Sequence, residues 1–169
     1  MAGAQGDFSV LMKVMYRRVL FTVLTVLWML AIFWFSDQPA KQSTEMSHRV
    51  GHLVGEWIVP GYEGWTPPQK DAFAAAIDYP VRKAAHASEY AVLAVLFLFT
   101  FWNFNDKKRI NIWVLLAVFL YAVSDELHQY FVPGRAAKLT DVLIDTAGGL
   151  VGVGMSRLVI WIRNRIKKH

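Results

Sequence analysis

Glu89, Asp125 and Asp145 are carboxylates set inside three separate apolar runs. Each lies about six residues, or roughly 9 Å of helix, from the same end of its run. Nearer that end come Lys83 and His86 on the first of these runs, Glu126, His128 and Gln129 on the second, and Asp141 on the third, with Arg135 in the connection between the last two. His86 and Glu89 are spaced i,i+3, Asp125 with His128 and Gln129 i,i+3,i+4, and Asp141 with Asp145 i,i+4, so each set shares one helix face. Imidazoles beside carboxylates suit two kinds of chemistry. One is proton transfer, with Glu89 as general base and the histidines as shuttles. The other is ligation of a divalent cation by His86, Glu89, Asp125 and Asp145. Arg135 supplies a fork for an anionic group.

The elements that position these residues are apolar helices. Residues 19–36 carry no charge and cover roughly 27 Å, close to the thickness of a bilayer's hydrocarbon. Similar runs occupy residues 84–102, 111–131 and 139–162. The expectation is an all-α membrane protein, a four-helix transmembrane bundle with a helical extracytoplasmic loop between the first two spans. The first run outlasts a signal-peptide core and lacks a good cleavage site, which favours a retained span. Residues 37–82 form the long polar loop. In it Met46, Val50, Leu53, Val54, Trp57 and Ile58 recur at helical spacing among Glu45, His48, Arg49, His52 and Glu56. That pattern fits an amphipathic helix lying on the membrane or one capping the bundle. A second short helix is expected around residues 69–77, after Pro67 and Pro68.

Charge gives the orientation. The segment 1–18, the linker 103–110 and the tail 163–169 all fall on one side and are basic, so both termini are expected in the cytoplasm and the polar layer outside. The formal charge of +5 is thereby a topology signal beside apolar spans rather than a nucleic-acid surface. With no cysteine among 169 residues, disulfides, thiolate metal sites and cysteine nucleophiles are excluded.

Several of these side chains also suit plain structural roles. Asp141 sits where an acid stabilises a helix start and His128 where a base stabilises a helix end, while Lys83 and Arg135 can reach the headgroups. Glu89, Asp125 and Asp145 lie deeper, where ionisable groups are costly and face a bundle interior or wet cavity. Gly148, Gly152 and Ser156 make a small-xxx-small stripe, suited first to packing within the bundle and second to pairing two chains.

Three blocks carry a family resemblance: Arg82-Lys83-x-x-His86-x-x-Glu89-Tyr90; Asp125-Glu126-x-His128-Gln129-x-Phe131-x-x-Gly134-Arg135; and Asp141-x-x-x-Asp145-x-x-Gly148. In this order, each against its own span, they resemble the VanZ-like family of bacterial integral membrane proteins. The resemblance covers residues 81–154 best, and Phe35-Ser36-Asp37-Gln38 after an aromatic-rich span is in keeping with it. Ala136-Ala137-Lys138 departs from the family's frequent Ser and Gly. The resemblance implies a membrane protein of the bacterial cell envelope whose founding relative is associated with resistance to the glycopeptide teicoplanin; it implies no established reaction.

Three functions remain open on the sequence. An enzyme would use the polar layer on a lipid-linked envelope precursor. A non-catalytic protein would bind lipid headgroups or a lipoglycopeptide and shield the outer leaflet. A transporter of protons or small ions would need several chains, since four spans without an inverted repeat are few. No metal motif such as HExxH and no nucleophile motif is present.

Overall fold

The computed structural model describes residues 2–101 and 106–167, with side chains from residue 11 onward. The expected end of the second span at Trp102, the first linker positions 103–105 and the last two residues of the tail lie outside the described residues.

Regular structure among the described residues is helical throughout: α1 Ala2–Ser36, α2 Ala40–Ile58, a 3-10 turn at Tyr62–Gly64, α3 Pro67–Ala76, α4 Asp78–Thr100, α5 Lys107–Gln129 and α6 Leu139–Ile166. The boundaries follow local chemistry. At α3, Pro67 and Pro68 fill the first two positions, where a missing N–H costs nothing, and Thr66 with Gln69 closes a capping box. Asp106 accepts from the backbone N–H groups of Lys108 (3.0 Å) and Arg109 (3.1 Å) and so starts α5 four residues before the apolar run does. Pro133 and Gly134 end the α5 connection in a tight turn. Gly134 has φ 76°, and Arg135 N–H donates to Val132 O at 3.0 Å, the arrangement of a type II turn.

Among the described residues, three helices are long and apolar enough to cross a membrane: Leu11–Ser36, Lys107–Gln129 and Leu139–Ile166. α4 is the remaining run of the expected four. Its second half is apolar, but its first half carries Asp78, Arg82, Lys83, His86 and Glu89. Large apolar side chains such as Leu27, Leu30, Leu120, Leu150 and Leu158 point outward from α1, α5 and α6, as a lipid-facing surface requires.

α4 and α6 form the closest pair. A Cβ at Gly148 would collide with the backbone of Ala87, and one at Gly152 with the backbone of Ala91, so hydrogen atoms at these two positions set the approach of the helices. One turn face away, Gly149 leaves room for Val118 of α5. Gly148 and Gly152 of the small-residue stripe are thereby occupied inside the chain. α1 joins through the Trp28 indole, which donates to the backbone carbonyl of Glu89 at 2.9 Å and fixes the register of α1 against α4. Ile32, Tyr90, Leu93, Val114, Val118 and Val142 fill the centre.

α2 and α3 pack on each other over the polar end. Tyr62 is buried between them, its hydroxyl 2.9 Å from His52 Nδ1, while His52 Nε2 lies 3.3 Å from Asp71. α2 packs inward through Ser47, Gly51 and Gly55, whereas Met46, Val50, Leu53, Trp57 and Ile58 of the expected apolar stripe are exposed, Trp57 at 88%. α2 is held down by Ala40 N–H, which donates to Pro133 O at 3.3 Å, and by Ser47, which donates to Asp78.

Candidate functional site

The polar end of the bundle is built in two tiers. The deep tier brings together one side chain from each of three helices: His86 from α4, Asp125 from α5 and Asp145 from α6. Each offers a ligand atom, and the three atoms lie within 4.8 Å of one another. Asp145 is 0% exposed, and neither of its carboxylate oxygens has a hydrogen-bond partner among the described residues. His86 Nδ1 is 3.9 Å from Asp145 Oδ1 and is also buried without a bond.

Asp125 is half satisfied. Its Oδ2 accepts from Ser36 Oγ at 2.8 Å and from Gln129 Nε2 at 3.1 Å, and that same amide donates to Ser36 at 3.3 Å. Its other oxygen is buried beside the Tyr90 hydroxyl, which interacts with Asp125 without meeting strict hydrogen-bond geometry. Glu89 approaches the same nitrogen, with its Oε2 4.0 Å from His86 Nδ1, and borders the cavity described below.

The upper tier is mostly paired. Lys83 Nζ lies 2.6 Å from Asp141 Oδ2, joining the starts of α4 and α6. Arg82 lies 2.6 Å from Asp78. Glu126 accepts the N–H of Lys138 at 2.8 Å and so caps the backbone entering α6. His128 turns away from the deep tier: it stacks on Phe33 at 4.2 Å, and its Nε2 is 3.2 Å from Asp37.

Arg135 is the exception. Its guanidinium donates only to neutral oxygens, to Gln38 O at 3.2 Å and Gln129 Oε1 at 3.4 Å, and no ion pair involves it among the described residues. Burial, together with the like charge of Arg82, pulls its pKa below the usual arginine value. The guanidinium nonetheless stays protonated, so its charge is partly desolvated and lacks a bonded counter-ion.

Beside this cation a cavity of about 380 Å³ opens between α2, α4 and the end of α1. Phe35, Met46, Val50, Val54 and Val81 line its apolar wall, and Arg82, His86, Glu89 and Arg135 form its polar end. His86 belongs to both the cavity and the deep tier.

Of the residues singled out from the sequence, His86, Asp125 and Asp145 converge, with Glu89 and Gln129 adjoining them. Lys83 with Asp141 and Glu126 with Lys138 serve as structural ties. Three contributors were not among the site candidates, although Tyr90 stands in a block that carries the resemblance and Ser36 in the stretch in keeping with it. Ser36 bonds Asp125, Tyr90 borders it, and Asp78 holds both Ser47 and Arg82. Ser36 had a visible signal, a polar residue closing an otherwise apolar run.

Comparison with known proteins gives three results. No solved structure matches the chain. A stretch of 76 residues is 30% identical to the protein named Na(+)/H(+) antiporter NhaA 2 of Campylobacter fetus subsp. fetus (strain 82-40), covering 43% of this chain but 19% of that protein. The chain thus spans about a fifth of that relative's length. Finally, the family model VanZ/LLP1 matches residues 21–161, a range that takes in all three residues of the deep tier. This chain belongs to the VanZ/LLP1 family.

Proposed function

We propose that this protein sits in a bacterial plasma membrane with α4 as a fourth span, both termini in the cytoplasm and α2 and α3 on the outer face. The charged first half of α4 supports a span because its side chains pair inside the bundle instead of facing lipid. The basic flanks support the orientation.

At the outer end the protein holds the anionic headgroup of a membrane lipid or lipid-linked envelope precursor. The cavity beside Arg135 carries this reading: an apolar wall and a guanidinium with no directly bonded counter-ion in one recess fit an amphiphile with a negative head. In its enzymatic form, Glu89 acts as general base on the bound molecule. In its shielding form, occupancy alone changes how a lipoglycopeptide such as teicoplanin engages the outer leaflet.

Binding of a fluorescent polyprenyl phosphate to the purified protein in lipid nanodiscs tests the reading. Saturable binding that weakens at least tenfold in Arg135→Gln, with no binding of the neutral polyprenol, is the expected result. Equal affinity for the phosphate and the alcohol would refute it. Glu89→Gln separates the two forms, since it should spare binding while abolishing any turnover.

Cation movement is a second reading, favoured by the 30% identity over 76 residues to part of a sodium–proton antiporter. Sodium-dependent proton flux in proteoliposomes, abolished by Asp145→Asn, is its signature.

A further inference from the structure

We propose that His86, Asp125 and Asp145 hold one divalent cation of the first transition series, zinc or manganese, at the floor of the recess. The inference deepens the headgroup reading and rests on the same recess, but its test is independent of lipid binding.

The first support is convergence. Three side chains from three different helices meet with their ligand atoms inside 4.8 Å, and in helical bundles metal sites are made from facing helices in this way. The second is what the atoms lack. Both oxygens of Asp145, one of Asp125 and the Nδ1 of His86 are buried and unbonded. A fully buried carboxylate normally gathers donors, as Asp125 Oδ2 does from Ser36 and Gln129. Asp145 has none, and its Oδ1 lies 3.9 Å from the equally unbonded His86 Nδ1. A cation is the partner that satisfies all of these atoms at once, and the two carboxylates match its double charge.

Donor type selects the ion. Calcium and magnesium favour shells made of oxygen, whereas one imidazole with two carboxylates suits zinc or manganese. A tetrahedral ion with bonds of about 2 Å needs ligand atoms about 3.3 Å apart. The observed spread is wider, so binding would draw the three side chains together. Glu89, 4.0 Å from His86 Nδ1, stands where a fourth ligand would come from the cavity side. With Ser36 and Gln129 orienting Asp125, the set also has the outer hydrogen bonds that metal ligands need. A cation here would face the cavity and join Arg135 in holding a phosphate.

The test is metal content of the full-length protein in detergent. The protein is stripped with a chelator, reloaded with zinc or manganese, desalted and analysed by plasma mass spectrometry. About one ion per chain is expected for wild type, with most of it lost in His86→Gln and Asp145→Asn and kept in Glu126→Gln. Electron spin-echo spectra of the manganese-loaded wild type should show coupling to an imidazole nitrogen, a readout that needs no variant to fold. Absence of a retained ion, absence of nitrogen coupling, or full retention in a folded Asp145→Asn protein would overturn the proposal. Arg135→Gln keeps the ion whether or not it loses the lipid, so the two readings fail separately.

Discussion

His86 Nδ1 and Asp145 Oδ1 stand 3.9 Å apart inside the bundle, and neither atom has a hydrogen-bond partner. Such an unmet pair is destabilising by itself, since a buried polar atom without a partner costs about 1–3 kcal/mol. Folded proteins retain arrangements of this kind where a ligand completes them.

Asp145→Asn should therefore stabilise the metal-free protein. It removes a potential charge from a site with no partner, while keeping the side chain's size. A thermal shift in chelator is the measurement, and a melting temperature equal to or above wild type is expected. A large fall would mean that Asp145 is satisfied by groups other than those described.

Close packing of α4 on α6 makes a sharp contrast between two glycines on one helix. Gly152→Ala should cost about 1–3 kcal/mol, because its methyl group meets the Ala91 backbone, which cannot rotate away. Gly154→Ala meets nothing within 4 Å and should be neutral or slightly stabilising through helix propensity. Unfolding in mixed micelles compares them directly.

Lys83 and Asp141 form a tie that should behave as a unit. Each single change, Lys83→Met or Asp141→Leu, leaves the other charge partly buried and unpaired, and should cost more than the double change does. A double-mutant cycle on unfolding free energy reads this as a favourable coupling of about 1 kcal/mol or more. Additive losses would show that the 2.6 Å pair contributes little.

Topology can be read with single cysteines, since the chain has none of its own. Glu63→Cys, beside the turn after α2, should react with an impermeant maleimide in intact cells. Lys108→Cys, at the start of α5, should react only after the membrane is opened. The reverse pattern would put the recess on the cytoplasmic side.

Much of the site was legible because helix rise converts sequence position into depth. Asp125 and Asp145 sit well inside their runs, and they do meet. Rotation was harder to read. Residues three apart on a helix differ by about 60° in facing, and with that offset Glu89 lines the cavity 4.0 Å from His86 Nδ1 rather than joining the three converging ligand atoms. His128 shares a face with Asp125 on α5 yet turns to Asp37 and Phe33, a choice set by α1, whose lateral position no spacing reveals. The helix α5 begins four residues before the expected span for a simple reason. Its first turn is Lys107, Lys108 and Arg109, which hydropathy reads as loop, whereas the Asp106 cap makes it helix. The charged half of α4 likewise hides a helix whose polar residues are paired by neighbours distant in sequence: Asp141 for Lys83, and Ser47 at the end of the Asp78 tie.

The central claim, that the recess under α2 receives an anionic lipid head, is tested most directly by where such a lipid can be trapped. A photo-crosslinking amino acid is placed at Val54, on the recess wall, or at Leu120, on the lipid-facing side of α5. Each protein is then illuminated with a trace of radiolabelled polyprenyl phosphate in a neutral bilayer. Strong labelling at position 54 that falls in Arg135→Gln, with weak labelling at position 120, is the predicted result. Equal labelling at both positions, unchanged in Arg135→Gln, would contradict it.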